Sequence, residues 1–299
     1  MPRTLFEMPM RLMTLAILSL ACLRAQDLLQ ALRQHAAKGD PQAQTALGKL
    51  YRDGLGVRQD LPEAVRWFRQ AADQGYAEAE NCLGFLYDYG GGVPIDHAEA
   101  ARWYRKAADQ GYAEAFFNLG SMYDSGQGFS IDHAEAVRWY RKAAAQGDID
   151  AEFNLGVMYE QAQGVAQDYA EAARWYRQAA EHGSAVGALS LGLMYAQGRG
   201  VARDPGEAAR WYRKAADKGL ATAQAQLSLA YSGALGLPED KVAAYEWMDL
   251  AVFRARGPVS KKYSALRDAL AAGMVPEQLA EAERRAAEWK SKWRADPAH

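Results

Sequence analysis

The sequence contains very little cysteine and no marked excess of charge of either sign. Its two cysteines, Cys22 and Cys82, are too few for a disulfide framework. The 35 lysines and arginines are matched by 37 aspartates and glutamates, which gives a formal net charge of −2. A chain with so small a net charge has no global field that attracts nucleic acid or anionic lipid. We therefore expect no nucleic-acid partner.

An apolar run long enough to cross a bilayer is also missing. The most apolar stretch covers residues 12–22 and is interrupted only by Thr14 and Ser19, whereas a spanning helix needs about 20 apolar residues. Two arginines precede this stretch, and Ala25 follows it before the polar Gln26. The order basic, apolar, small is typical of a secretory signal. We predict that residues 1–25 are a signal peptide and that the mature chain has no transmembrane span.

Several alternatives remain open at this N-terminus. Cleavage fits after Ala21 or after Ala25, Met10 could be the true start, and a buried N-terminal helix would have a similar composition. Cys22 follows a Ser-Leu-Ala sequence that partly resembles a lipoprotein processing site, although Ser19 stands where leucine is usual. We expect a bacterial protein that is periplasmic or secreted, with lipidation of Cys22 as the alternative.

A unit of 36 residues fills most of the remaining chain. Each of six copies opens with a glycine, at Gly39, Gly75, Gly111, Gly147, Gly183 and Gly219. Counting that glycine as position 0, every copy has leucine at position 8, tyrosine at position 12, aspartate at position 21 and tryptophan at position 28. A fixed period of this length is typical of a solenoid, in which each unit buries its apolar face against its neighbours.

Each copy reads as two helices, helix A and helix B. In the third copy, apolar residues at helical spacing predict helix A from Ala113 to Asp124. Gly126 is placed to end that helix with a positive φ, and Gly128 is expected to keep the link flexible. Helix B is expected to begin at Asp132, because aspartate at position 21 and glutamate at position 24 have capping-box spacing in the first five copies.

The sequence on either side of the copies predicts capping helices. Residues 27–37 are apolar at helical spacing, and we assign residues 26–38 to an N-terminal capping helix. The six repeats then occupy residues 39–254. Residues 255–299 form a C-terminal helical cap and tail, with helices expected over 259–271 and 276–293. The predicted fold is all-α.

The repeated pattern resembles the Sel1-like repeat, a relative of the tetratricopeptide repeat. In the second copy the matching residues are Gly75, Ala79, Leu83, Gly84, Tyr87, Gly90, Gly92, Val93, Asp96, Glu99, Ala100, Trp103, Tyr104, Ala107 and Ala108. The resemblance implies a right-handed superhelical solenoid of paired antiparallel helices. It also implies a scaffold for protein–protein contacts, often in bacterial envelopes or among secreted proteins.

Some copies depart from the family pattern. Ala162 replaces the helix-ending glycine in the fourth copy, so a strained or reshaped loop is expected there. Gly187 replaces alanine in the fifth copy. In the sixth copy Ser228 and Ala234 replace glycines, and Met248 replaces tyrosine. The last copy therefore departs most, as a terminal repeat against a cap would.

No residue pattern indicates catalysis, a cofactor or a metal. His97 and His133 occupy equivalent positions in adjacent copies and are expected on the outside without further ligands. The tryptophans are expected in the core, and the basic residues of helix B, such as Arg102, Arg105 and Lys106, on a solvated outer face. Cysteine-rich members of the family are associated with β-lactam binding and weak hydrolysis. A β-lactamase-like or cell-wall-directed hydrolase is therefore one alternative, and a secreted effector that binds host proteins is another.

Helix A is the surface expected to carry function, since helix A lines the concave side in related helical repeats. Three rows should face that groove: Glu78, Glu114 and Asp150; Phe85, Phe117 and Phe153; and Asp88, Asp124 and Glu160. Acid in the last helical turn opposes the helix dipole by about 0.3–1 kcal/mol. The third row therefore needs internal pairing or a partner segment with basic and aromatic side chains. We predict a monomeric, exported scaffold that holds a protein or peptide in this groove.

Overall fold

The structure is a computed structural model that describes residues 27–295. The predicted signal peptide and Cys22 lie outside this range. Within it every regular element is a helix. They are α1 (27–37), α2 (Pro41–Asp53), α3 (Leu61–Ala72), α4 (Ala77–Tyr89), α5 (His97–Asp109), α6 (Ala113–Ser125), α7 (His133–Ala144), α8 (Ile149–Gln161), α9 (Tyr169–Glu181), α10 (Ala185–Gln197), α11 (Pro205–Asp217), α12 (Ala221–Tyr231), α13 (Lys241–Arg254), α14 (Gly257–Ala272) and α15 (Pro276–Ala295).

The even-numbered helices α2 to α12 are the helix A of each repeat, and the odd-numbered helices α3 to α13 are helix B. The chain forms two compact units, one up to Asp132 and one from His133 onwards. Within each unit, consecutive helices of the repeats pack against one another. This nearest-neighbour packing of repeated helix pairs is that of an all-α solenoid, as the 36-residue period predicts.

Helix B begins at a side-chain cap, as predicted. The carboxylates of Asp60, Asp96 and Asp204 each accept a hydrogen bond from the backbone N–H three residues later. The reciprocal half of the capping box does not form, because the backbone N–H of Asp96 donates to the carbonyl of Tyr87 at 2.9 Å. The glutamate of the box is therefore available to pair with the arginine three residues further on, as Glu99 does with Arg102 at 3.2 Å.

The glycine at position 9 makes room for the aromatic ring at position 29. A Cβ added to Gly84 would lie 2.7 Å from the ring of Tyr104, and one added to Gly192 would lie 2.6 Å from the ring of Tyr212. The sixth repeat changes both positions together. There Ser228 donates from its hydroxyl to the carbonyl of Ala244 at 2.6 Å, and the unbranched Met248 replaces the ring. The departure noted in the sequence is thus a matched pair of substitutions.

Gly128, at position 17 of the third repeat, is required by close packing, so the expectation that it keeps the link flexible is wrong. Gly128 has φ +73, and an added Cβ would lie 2.6 Å from the carbonyl oxygen of His97 in the preceding repeat. The loop of one repeat rests directly on the first turn of the previous helix B. A side chain cannot enter this contact without separating the two repeats.

A hydrogen bond from arginine to tyrosine joins neighbouring repeats. Arg105 at position 30 donates to the hydroxyl of Tyr123 at position 12 of the next repeat, at 2.6 Å. The same bond recurs from Arg177 to Tyr195 at 2.5 Å. In α1, Arg33 reaches Tyr51 at 3.4 Å, so α1 takes the place of a helix B that precedes the first repeat.

Helices α14 and α15 both pack against α13. On α15, Ala286 is fully buried in the core of the last repeats, and Trp289 packs against the same core. Lys290 bonds to Asp249 of α13 at 2.5 Å. These contacts cover the apolar surface that the sixth repeat would otherwise expose.

The tryptophans lie mainly in the core. The indoles of Trp103, Trp139, Trp211 and Trp247 are buried, whereas those of Trp67 and Trp175 are half-buried. Ala162 adopts the left-handed conformation with φ +59, and it is the one residue other than glycine with a positive φ in the part of the chain that the structure describes. The strain expected at this loop is therefore present.

Candidate functional site

The candidate site is the outward side of helix A, which we call the helix-A face. It comprises the side chains at positions 3, 6, 7, 10, 13 and 14 of each repeat that do not point into the core. Leu83 at position 8 and Leu86 at position 11 show the opposite side of the same helix, since both are buried. The helix-A faces of the two compact units are described one after the other.

In the first unit, polar side chains join one helix A to the next. Lys49 on α2 forms an ion pair with Glu78 on α4 at 2.5 Å. Asn81 on α4 donates to Glu114 on α6 at 3.1 Å and accepts from Asn118 at 3.0 Å. Two of the predicted acids, Glu78 and Glu114, therefore lie on one face and help to align its helices. Glu114 is nonetheless exposed.

The acids of the third predicted row, at position 13, have contacts within the protein. Nδ1 of His97 lies 2.7 Å from the carboxylate of Asp88, whose side chain is only 9% exposed. His97 was expected on the outside without ligands, and the structure places it against the end of helix A instead. This contact offsets the unfavourable position of an acid in the last helical turn. Asp124, the equivalent residue of α6, is half-buried.

The most exposed part of the face in the first unit is aromatic. Phe85 is 42% exposed, and Tyr89, one turn later, is 68% exposed. Their ring centroids are 4.6 Å apart. Phe117, the aromatic residue predicted on α6, is half-buried. The sequence prediction omitted Tyr89, although its i, i+4 spacing from Phe85 could have indicated it.

In the second unit the face is more apolar. Phe153 is half-buried, and its ring centroid lies 5.6 Å from that of Tyr176. Glu160 accepts a hydrogen bond from the hydroxyl of Tyr176 at 2.7 Å and pairs with Arg199 at 3.2 Å. Asp150 is exposed. Of the three predicted residues on α8, only Asp150 is thus fully available to solvent.

Aliphatic residues continue this surface on α10 and α12. Position 10 holds valine or leucine in these repeats, at Val157, Leu193 and Leu229, and all three are half-buried. Val186 at position 3 of α10 is 42% exposed. The helix-A face of the second unit therefore presents aliphatic side chains where that of the first unit presents Lys49 and Phe85.

The basic residues of helix B have partners within the same repeat or on the next one. Arg102 pairs with Glu99, Arg105 bonds to Tyr123, and the ammonium of Lys106 lies 3.8 Å from the ring centroid of Trp103. These contacts use the charges to link and cover helices, and they account for the basic stripe without a phosphate ligand.

Burial shifts the pKa of two ionisable groups on α4. Burial raises the pKa of the Cys82 thiol to about 11, so this thiol is protonated at neutral pH. Burial also raises the pKa of Glu80, which accepts a hydrogen bond from Gln110 at 2.7 Å.

Across residues 27–295, no three histidine, cysteine, aspartate or glutamate side chains are placed to hold a metal ion together. No helix in that range has the length and apolar character needed to span a membrane.

Comparison with known proteins agrees with this architecture. The Sel1 repeat family matches six consecutive segments, at residues 41–76, 77–112, 113–148, 149–184, 185–220 and 221–252. No curated protein sequence matches the chain.

Two crystal structures are similar along most of the chain. One is a protective antigen present in uropathogenic Escherichia coli strains that displays an SLR fold. It is 38% identical with a TM-score of 0.77, and the match covers 87% of this chain and 56% of that one. The other is a Sel1 repeat protein from Oxalobacter formigenes, 34% identical with a TM-score of 0.67, covering 81% of this chain and 97% of that one. The chain thus spans little more than half the length of the E. coli protein.

Sel1 repeat proteins are generally scaffolds for protein interaction and are typically not enzymes. Six tandem matches, the helix pairs of the structure and the identity to two solved relatives lead to the same assignment. The chain belongs to the Sel1-like repeat family.

Proposed function

We propose that the protein is an exported scaffold that binds a segment of another protein on its helix-A faces. In the first unit, the segment carries basic and aromatic side chains. The predicted site residues Glu78, Phe85, Asp88, Glu114, Phe117 and Asp124 lie in the first unit, and Asp150, Phe153 and Glu160 lie in the second.

The observation that carries the proposal is the exposed pair Phe85 and Tyr89. Large aromatic side chains seldom remain this exposed on a helix that could bury them, and they are over-represented at the energetic centre of protein interfaces. Their rings also bind arginine and lysine through cation–π contacts, worth about 0.5–2 kcal/mol each. The exposed carboxylate of Glu114 on the neighbouring helix adds attraction for a basic residue.

The structure also indicates which acids to test. Glu160 and Asp88 are held by internal partners, so reversing their charge would destabilise the repeat as well as change the surface. Glu114 and Asp150 are exposed. Because Glu114 also accepts a hydrogen bond from Asn81, the melting temperature of its variant is measured together with binding. Binding is therefore best measured in the variants Phe85→Ser/Tyr89→Ser and Glu114→Lys.

A peptide library displayed on phage and selected on the purified chain supplies defined ligands. We expect enriched peptides with arginine or lysine near an aromatic residue, and affinities that fall about tenfold or more in both variants. Ile131→Ser removes a side chain that is 61% exposed, and Asp109→Lys changes an exposed acid on helix B; neither should alter binding. Enrichment of acidic peptides, or affinities that do not respond to the aromatic variant, would contradict the proposal.

The proposed export rests on the order of residues at the N-terminus. Expression of the full sequence followed by cell fractionation and N-terminal sequencing should give a mature chain that starts after Ala21 or Ala25. Metabolic labelling with a palmitate analogue tests the lipidation of Cys22. A chain that keeps its N-terminus and stays in the cytoplasm would refute export, and would leave the binding proposal unaffected.

A further inference from the structure

A cavity of about 250 Å³ lies in the second unit, beside the helix-A face of the sixth repeat. Ser228, Leu229 and Ser232 of α12 line it, together with Met248 of α13 and two leucines and an alanine of α14. We call it the α12–α14 cavity. Ser228 and Met248 are buried, whereas Leu229 is half-buried and the lining alanine, Ala269, is exposed. The cavity therefore has a buried floor and opens to solvent.

The fourth repeat shows what occupies the equivalent place when a repeat follows the common pattern. A Cβ added to Gly156, at position 9, would lie 2.5 Å from the ring of Tyr176, at position 29. The hydroxyl of Tyr176 donates to the carboxylate of Glu160, at position 13, at 2.7 Å. The tyrosine side chain thus lies along helix A from position 9 to position 13. In the fifth repeat the ring of Tyr212 lies against Gly192 in the same way.

The sixth repeat has the same place without the ring. Its positions 9, 13 and 29 are Ser228, Ser232 and Met248, and all three line the cavity. Met248 carries no ring, and the residues that α14 contributes to the lining are leucine and alanine. The α12–α14 cavity therefore corresponds to the place of a tyrosine side chain that this repeat lacks.

The size and lining of the cavity suit a phenol ring. An apolar cavity of about 150 Å³ is large enough to bind benzene, and this one is larger. None of the described residues that line it is ionisable, so a charged side chain would lose its hydration there without gaining a partner. Ser232 donates its hydroxyl to the carbonyl of Leu229 at 2.9 Å, which leaves its oxygen able to accept. It can accept from a phenol hydroxyl, as Glu160 does in the fourth repeat.

We propose that the α12–α14 cavity binds the side chain of a tyrosine from the segment that lies on the helix-A face of the second unit. This inference rests on the proposed function and names an anchor residue of the segment. The cavity borders that face at Leu229 and Ser232, which hold positions 10 and 13. The segment can therefore remain on the face while its ring enters the cavity. A buried ring surrounded by weaker contacts is the usual form of an energetically dominant interface residue.

The compound p-cresol has the ring and hydroxyl of a tyrosine side chain, so it tests the cavity without a partner. It is titrated into the full chain with ¹³C-labelled methionine methyl groups, and the Met248 signal is assigned by its loss in Met248→Leu. We expect a saturable shift of this signal. Ala269→Leu narrows the opening and should weaken binding about tenfold, with the helix retained because alanine and leucine are both strong helix formers. Ser232→Ala should weaken the binding of p-cresol but not that of toluene, which has no hydroxyl.

Ala287→Leu is the matched control, because Ala287 is an exposed alanine of α15 that does not line the cavity. It should leave the affinity for p-cresol unchanged. An unshifted Met248 signal, or equal p-cresol binding to the wild type and Ala269→Leu, would overturn the proposal whatever peptides the chain selects.

The phage-selected peptides supply the second arm. Some of them should displace p-cresol, and replacing their tyrosine by alanine should abolish that displacement. Peptides whose affinity depends on Phe85 and Tyr89, but none of which displaces p-cresol, would overturn the tyrosine site and leave the proposed function in place. Saturable p-cresol binding with no peptide enriched would contradict the proposed function, and with it the assignment of the cavity to a partner's tyrosine.

Discussion

Replacing Ala162 by glycine should stabilise the second unit. Ala162 is the C-cap of α8 with φ +59, a conformation in which its Cβ lies too close to the following carbonyl oxygen. That conformation costs a non-glycine residue about 1–2 kcal/mol. Glycine removes this cost but adds about 0.4–1 kcal/mol of backbone entropy in the unfolded chain. The backbone bond from Ala162 to the carbonyl of Met158 is independent of the side chain. We expect a net gain of about 1 kcal/mol in the free energy of unfolding.

The mirror experiment is Gly198→Ala. Gly198 is the C-cap of α10 with φ +70, and an added Cβ would lie 3.1 Å from Cβ of Arg203. Alanine there should cost about 1 kcal/mol or slightly more. Urea unfolding followed by tryptophan fluorescence measures both changes, and each kcal/mol corresponds to about 2–4 °C in Tm for a unit of this size. A neutral or destabilising Ala162→Gly, together with a neutral Gly198→Ala, would show that φ is not what limits stability at these caps.

Three further variants test the contacts that hold the repeats together. Tyr159→Phe removes the acceptor of the 2.5 Å bond from Arg141 and should lower the free energy of unfolding by about 0.5–1.5 kcal/mol, measured by urea titration. Gly156→Ala forces a Cβ to within 2.5 Å of a buried tyrosine ring and should cost about 1–3 kcal/mol, seen as a lower urea midpoint. Glu80→Gln keeps the hydrogen bond to Gln110 but replaces a carboxyl group whose pKa is raised by burial. A carboxyl group whose pKa is raised in the folded state stabilises the fold at low pH, and this stabilisation is lost as the pH rises through that pKa. The free energy of unfolding of this variant should therefore exceed that of the wild type at pH 7. The difference should vanish below a pH of about 4.5.

The sequence was sufficient to predict the helix pairs and their caps, because these depend on local spacing. Helix A of the third repeat was expected over Ala113–Asp124 and ends one residue later, at Ser125. The cap at Asp96 and the strain at Ala162 were also local features. Both follow from the identity of one residue and its place in the period.

The side-chain partners of the candidate site could not be predicted in the same way. Asp88 and Glu160 share one position of the repeat, yet one contacts a histidine of its own repeat and the other a tyrosine and an arginine. These choices depend on distances between helices and on side-chain rotamers, which no period encodes. The role of Gly128 was misread for a related reason: a loop glycine in sequence does not reveal that backbone from the preceding repeat lies against it.

If the proposed binding is correct, the repeats themselves indicate where its specificity resides. Residues that fix the architecture are the same in every copy, such as the leucine at position 8 and the tyrosine at position 12. Position 10 lies on the same helix and differs in almost every copy: Lys49, Phe85, Ser121, Val157, Leu193 and Leu229. None of these six residues is fully buried, although Val157 and Leu193 pack in part against the core. A partly exposed position that varies within an otherwise uniform array is where we expect a partner to be recognised. Because position 10 changes from lysine and phenylalanine in the first unit to aliphatic residues in the second, the proposed binding predicts that the two units contact chemically different parts of a partner.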